Sequence, residues 1–277
     1  MSTASIMNAP PPRLRIVATN RLHPHELHDT QRLLPLIDRL RRESVMINPP
    51  IVAPMSGDDD DYVVLDGANR TSAFSELGYP HVLVQIAPYD SPFVQLETWQ
   101  HVVCSWEITA LLDHVQALDA VRIIDDTTRA PLASVRAVDG RHWWVDTVQA
   151  ASAAHRNRAL VEFVSVYQRN AVLHRTTLHD PVQVWHAFTN SIALITFPGY
   201  RPADVIAAAR DHAYVPPGIT RHIIHGRALR VNYPLEKLRD PHISLEEKNQ
   251  ELDRWYHDKI DGRHIRFYAE STYQFDE

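Results

Sequence analysis

Asp66, Gly67 and Arg70 stand where an apolar, β-branched run gives way to a helical pattern: Val63-Val64-Leu65-Asp66-Gly67-Ala68-Asn69-Arg70-Thr71-Ser72-Ala73-Phe74. Ala73, Phe74 and Leu77 recur on one helical side, and Gly78 is placed to stop the helix. The spacing predicts strand, tight turn and helix N-terminus. The first N–H groups of such a helix point above the turn, where the helix dipole favours an anion. Gly67 allows close backbone approach, Asp66 supplies a carboxylate and Arg70 a cation. Such a turn suits a phosphate with a metal ion or hydroxyl beside it. The plain alternative is a strand–helix turn in which Asp66 only caps.

Three further places carry residue types suited to chemistry. His25-Glu26 offers a carboxylate early in the chain, although His-Glu-Leu-His taken alone reads as surface. Trp99 could wall a small pocket or pack in a core. Pro216-Pro217-Gly218-Ile219-Thr220-Arg221-His222 joins a stiff approach and a turn to three polar side chains. Arg221 can match a free carboxylate with two parallel hydrogen bonds. Its alternative is a structural loop with an exposed arginine. Arg227 and Arg230 could add positive field near a phosphate or lie on a solvated strand face. Asp58 to Asp61, beside Gly57, could bind a cation but reads first as a solvated hairpin turn. The seventeen histidines are scattered and show no His-Glu-x-x-His spacing.

The elements that position these residues follow from periodicity. Strands are expected at Leu14–Ala18, Ile51–Ala53, Tyr62–Leu65 and Val82–Ile86, with a helix from about Asp29 to Glu43 that must accommodate Pro35. Asp90, Ser91 and Pro92 mark a boundary. Beyond it, Val94–Leu112 reads as mostly helical. Ala120–Ile124 and Ala130–Val138 read as strands, with Asp125-Asp126 as a turn. Asp139-Gly140 ahead of Trp143-Trp144-Val145 reads as a hairpin. Ala150–Gln168 and Pro202–Ala213 suit helices, and Ser191–Phe197 a buried strand. Ser244-Leu245-Glu246-Glu247 fits a capping box opening a helix to about Ile260.

The 277 residues are 44% hydrophobic and 22% charged, an ordinary globular composition. A net charge of −6 argues against a general nucleic-acid binder. The single Cys104 excludes an intrachain disulfide and suits a reducing cytoplasm. No apolar run approaches the length of a membrane span, and Met1–Arg13 lacks the pattern of a signal peptide.

The order of these features from about Leu14 to Tyr89 resembles the ParB/sulfiredoxin nucleotide-binding domain. Within that superfamily the chain is similar to the free L-serine kinases, which make O-phosphoserine. These include an archaeal ADP-dependent enzyme and one serving staphylococcal siderophore synthesis. Their Asp-Gly-His-His-Arg motif corresponds to Asp66-Gly67-Ala68-Asn69-Arg70, so both motif histidines are replaced here. Their early His-Glu matches His25-Glu26, a later tryptophan matches Trp99, and their Pro-Pro-x-x-Thr-Arg-His matches Pro216 to His222.

The resemblance implies a mixed α/β fold. A flexible tail (1–13) would precede a ParB/sulfiredoxin-like nucleotide domain (14–90) and a substrate-binding domain (91–277), with an active site in the cleft between them. It implies phosphoryl transfer from ADP or ATP, with Mg²⁺, to free L-serine or a close hydroxy-amino acid. Glu26 would be the base. Asp66 would orient the hydroxyl or hold Mg²⁺, possibly through water. Gly67, Ala68, Asn69, Arg70 and Thr71 would hold phosphate. Trp99, Thr220, Arg221 and His222 would bind the amino acid. The implied protein is a cytoplasmic enzyme with small-molecule partners. Two other readings stay open: a ParB-like nucleotide-gated DNA-binding regulator and an inactive nucleotide sensor. Sulfiredoxin chemistry would need a cysteine where Ala68 stands.

Overall fold

The computed structural model describes residues 9–28, 30–56, 60–125, 130–148 and 152–268. The first eight residues of the expected tail, Gly57 to Asp59 of the acidic run, Asp126, and Ala150 and Ala151 of an expected helix lie outside the described residues.

In chain order the elements begin with β1 (Arg13–Ala18), β2 (Leu22–Pro24), α1 (Thr30–Arg42), β3 (Val45–Met46), β4 (Ile51–Pro54), β5 (Tyr62–Asp66), α2 (Ala68–Glu76) and β6 (His81–Ile86). Next come β7 (Val94–Thr98), β8 (Gln100–Cys104), α3 (Ile108–Gln116), β9 (Val121–Ile124), β10 (Ala133–Ala137), β11 (His142–Thr147), α4 (Ala153–Asn170) and β12 (Val172–Thr176). The chain continues with α5 (Pro181–Ala187), β13 (Ser191–Thr196), α6 (Pro202–Arg210), β14 (Thr220–Ile224), β15 (Tyr233–Pro234), α7 (Leu235–Arg239) and α8 (Leu245–Asp261). Mixed α/β architecture is as expected from the sequence.

The chain divides into two compact units that interleave along it. The first comprises Met1–Pro24, His28–Gln95 and His222–Glu277; the second comprises His25–Leu27 and Leu96–Arg221. The first unit is built on a five-stranded sheet in the order β1-β6-β4-β5-β2. Pairings alternate along it: β1–β6 and β4–β5 are antiparallel, β4–β6 and β2–β5 parallel. Strands β5 and β6 are buried over most of their length, which explains their nearly unbroken apolar text. The core joins Val64, Leu83 and Phe74 to Leu33 and Ile37 of α1 and to Leu238 and Leu252 of α7 and α8. On edge strand β1, the Asn249 side chain accepts the Ile16 N–H at 2.9 Å and donates to its carbonyl at 2.9 Å. That closes an edge that would otherwise present unpaired backbone.

The second unit is built on a six-stranded sheet, β12-β8-β13-β10-β11-β9, antiparallel at every pairing. Alternation along the strands sorts its two faces. Val103, Val135, Val145, Ala193 and Ile195 pack with Leu111 of α3 and Phe163, Val164 and Tyr167 of α4. Val102 and Leu194, one residue out of phase, pack with Val184 of α5. The Asp139-Gly140 hairpin forms as expected, with Arg136 opposite His142. The capping box at Ser244 also forms.

The expected helix over Val94–Leu112 is corrected by the structure to two strands, β7 and β8, followed by α3. Every residue of β8 is buried, because the strand lies between β12 and β13. A strand covered on both faces loses the period-2 signal, and short apolar runs then fit either period. The β-branched Val102-Val103 pair decides for the strand.

Lys248 is almost wholly buried. Its ammonium donates to the carbonyls of Leu238 (3.0 Å) and Asp240 (2.6 Å) and lies 3.1 Å from His81 Nδ1. We predict that Lys248→Met, which keeps bulk but removes the donor, lowers urea stability by about 2–4 kcal/mol with little change in m-value, since one buried and one half-buried carbonyl lose their partner. An unchanged midpoint would contradict that account.

Candidate functional site

In the first unit, β5 delivers Asp66 to the turn and Gly67 opens α2. Gly67 has φ +95°, and the Arg70 guanidinium lies over it, so a β-carbon there would be strained and would crowd that side chain. No side chain caps the start of α2; Asp66 is engaged by arginines. The Thr71 N–H and hydroxyl both donate to the Gly67 carbonyl, at 2.9 and 3.2 Å. At the far end Gly78, at φ +70°, donates to Ser75, while Tyr79 N–H donates to Phe74. The Phe74 and Tyr79 rings meet edge to face at 4.9 Å. That is a Schellman stop with its apolar contact.

Two guanidiniums converge on Asp66. Arg227 donates to Oδ2 at 2.6 Å and Arg70 stands at 3.7 Å. Burial works to raise the Asp66 carboxyl, but Arg227, Arg70 and the Gly67 N–H outweigh it, holding it below the usual carboxylate range. The buried Gln85 of β6 fixes the Arg227 loop. Its amide donates to the Gly226 carbonyl at 3.0 Å, and its oxygen accepts the Ala228 N–H at 2.8 Å. Arg230 departs from this group; its backbone N–H donates to Asn48. His222 also falls in this unit, with Nε2 2.7 Å from the Tyr89 hydroxyl. Burial pushes that phenol well above its ordinary value, so Tyr89 stays protonated at neutral pH.

The second unit holds Glu26, Trp99, Thr220 and Arg221. Residues 25–27 pair with Val215: Val215 N–H donates to the His25 carbonyl and Leu27 N–H to the Val215 carbonyl, both at 3.0 Å. Glu26 Oε2 accepts the Gly218 N–H at 3.0 Å. His25 Nε2 lies 2.7 Å from Thr220 Oγ1. Arg221 bonds the Glu97 carboxylate and stacks over Trp99, its Cζ 5.0 Å from the ring centroid. Trp99 sits between β7 and β8, and its backbone N–H donates to Ile219. The histidine-glutamate pair and the Thr-Arg segment thus meet across 195 residues of sequence.

Gly218 is held from several sides. It has φ +75°, and a β-carbon would overlap the Arg175 guanidinium, which donates to the Pro217 carbonyl at 3.1 Å. Its carbonyl lies 3.0 Å from His101 Nε2, and His101 Nδ1 lies 2.8 Å from the Tyr167 hydroxyl. A carbonyl can only accept, which assigns the proton to Nε2 and makes Nδ1 the acceptor for Tyr167. Burial drives the His101 pKa down to about 4, against a raising effect of the Gly218 carbonyl, and Arg175 lowers it further. His101 is therefore neutral at pH 7.

Sequence reasoning missed His101, Tyr167, Arg175, Gln85 and Glu97. Two of them left a trace: His101 and Gln85 are polar residues inside buried apolar strands, and such groups need partners. Among the described residues no three His, Cys, Asp or Glu side chains gather as a metal cage. Asp66 offers a carboxylate oxygen, a donor that fits Mg²⁺ held mainly by water and substrate phosphates.

The fold is similar to that of SbnI and of a free serine kinase among solved structures. The SbnI structure with C-terminal truncation from Staphylococcus aureus superposes with a TM-score of 0.70 at 19% identity, covering 90% of this chain and 97% of that one. A free serine kinase in complex with AMP gives 0.69 at 15%, covering 83% and 95%. In sequence, the chain is 35% identical over 108 residues to an ATP-dependent L-serine kinase of Staphylothermus marinus, 39% of this chain and 42% of that protein. The chain thus spans less than half the length of the curated relative it matches. No family model matches the sequence.

The histidine linkage has a definite sign. The neutral state of His101 contributes fully above an unfolded-state pKa near 6.5, and that contribution is lost as pH falls towards 4. We predict a stability loss of about 3 kcal/mol from this residue between those limits, visible as a steeper pH dependence of urea midpoints than in His101→Gln. Equal slopes would remove the neutral-histidine assignment. Gly218→Ala is expected to destabilise the chain by about 2 kcal/mol or more, from left-handed strain and overlap with Arg175.

Proposed function

We propose that this protein is a kinase that transfers the γ-phosphoryl group of ATP to the hydroxyl of free L-serine, giving O-phospho-L-serine and ADP. The observation that carries this reading is the junction of Glu26 with Gly218 and of His25 with Thr220. It unites a carboxylate with the segment expected to bind an amino acid. ATP is chosen over ADP because the matched relative is described as ATP-dependent. The AMP complex of the structural neighbour supports an adenine nucleotide as ligand.

Each residue has a chemical part. Glu26 accepts the serine hydroxyl proton as that oxygen forms its bond to the γ-phosphorus. The bond from the γ-phosphorus to the bridging oxygen breaks, and ADP leaves. Arg70, Arg227 and the backbone from Gly67 to Thr71 hold phosphate, replacing with a second guanidinium what Ala68 and Asn69 do not supply. Asp66 is a poor base, since two arginines stabilise its anion. Its part would be to hold Mg²⁺ directly or through water, an ion that would supply charge neutralisation for the phosphates. Thr220, Arg221 and His222 bind the amino acid, with Trp99 as an apolar wall. The serine carboxylate displaces or joins Glu97 at Arg221.

Phosphorus NMR of the purified protein with ATP, Mg²⁺ and L-serine is expected to show O-phosphoserine, with ADP tested in parallel as donor. Glu26→Gln is expected to lower the rate by about 10²–10⁴-fold. Arg227→Ala should raise the nucleotide KM by about tenfold or more, as a charge-assisted contact to phosphate is lost. No phosphorylation of any free hydroxy-amino acid would end the proposal; nucleotide binding without turnover would favour a sensor.

A further inference from the structure

The second unit's sheet carries a cavity of about 380 Å³ on the face that α5 covers only in part. Strand alternation builds its floor. Ser134 and Arg136 of β10, His142 and Trp144 of β11, and Thr196 of β13 all face it, while Val135, Val145 and Ile195 point to the opposite core. His179, just ahead of α5, supplies a wall. The residues named above as kinase machinery do not line this cavity.

Its chemistry is one-sided. No aspartate or glutamate lines it, and the Arg136 side chain makes no hydrogen bond or ion pair among the described residues, its backbone being paired within the sheet. Ser134 Oγ and Thr196 Oγ1 lie 2.7 Å apart; one hydroxyl donates to the other, which leaves a second hydroxyl proton to donate. The His142 and Trp144 rings meet at 4.1 Å between centroids, inclined by 64°. A guanidinium and a spare hydroxyl donor favour an anion, and the indole and imidazole offer contact to a flat ring. The volume lies near the lower end for small-molecule sites, enough for one ring system and its anionic group.

We propose that this cavity is a second ligand site that binds a small planar-ring anion, a carboxylate or phosphate attached to a flat ring, with Arg136 as the charge partner and Trp144 as the ring contact. Such a ligand would act on the protein from a place separate from the kinase residues.

The test uses the full chain labelled with ¹⁵N-tryptophan, the Trp144 indole signal being assigned through Trp144→Phe. Phenyl phosphate and benzoate are titrated separately, with inorganic phosphate and benzyl alcohol as probes lacking the ring or the charge. The expected result is a saturable Trp144 shift with at least one aromatic anion, at about millimolar concentration or below. Which anion binds distinguishes phosphate from carboxylate. Arg136→Gln should weaken binding by about tenfold or more, with the other indole signals unmoved as evidence of an intact fold. Arg227→Ala should leave it unchanged, which separates this site from the kinase reading. No shift up to about 20 mM, far weaker than a ring and charge together should give, would overturn the proposal. So would equal binding of benzyl alcohol, or undiminished binding to Arg136→Gln.

Discussion

The peptide groups flanking Gly218 carry opposed demands. The N–H must meet Glu26, and the carbonyl must meet His101. Both are met only with the residue in the left-handed region, and Arg175 lies where a side chain would be. A glycine is therefore a geometric requirement here. The Tyr167 hydroxyl orients the imidazole, the imidazole orients the loop, and the loop orients the carboxylate. Because His101 is buried and neutral, this chain of hydrogen bonds keeps its direction across the neutral pH range. Thr220 follows Gly218 closely and is tied to His25, so two adjacent residues near the N-terminus share one scaffold.

The carboxylates Glu26 and Asp66 meet different donors. Asp66 faces two guanidiniums, which stabilise its anion and make it a weak proton acceptor. Glu26 accepts the Gly218 backbone N–H, a neutral donor that aligns the carboxylate. Gln85 extends the same economy to the arginine side, since one buried amide fixes the two backbone groups that flank Arg227.

Interleaving of the units follows from unsatisfied edges. The 25–27 segment finds backbone partners at Val215, and helix α8 returns to close the β1 edge through Asn249. Each exchange satisfies polar backbone that would otherwise remain unpaired. In the six-stranded sheet, by contrast, one face is covered by α3 and α4 and the other only partly by α5, which leaves the polar, basic floor around Arg136.

What the amino-acid order determined by itself was local. Asp66-Gly67 marks the strand–helix turn because glycine reaches positive φ at low cost. Asp139-Gly140 marks a hairpin, Gly78 a helix stop, and Ser244 with Glu247 a capping box; each signal involves residues within a few positions of one another. The mixed α/β class was legible from the succession of such signals, and motif order pointed to Glu26 and the Thr-Arg-His segment. Tertiary structure alone decided that Gln100–Cys104 forms a strand, because burial between two neighbours erases the alternation that identifies a strand. It alone joined Glu26 to Gly218, His101 to Tyr167 and Arg227 to Asp66. Those pairs lie far apart in sequence. Their partners are selected by three-dimensional proximity and the cost of leaving a buried polar group unpaired, and neither is written in the spacing of residues along the chain.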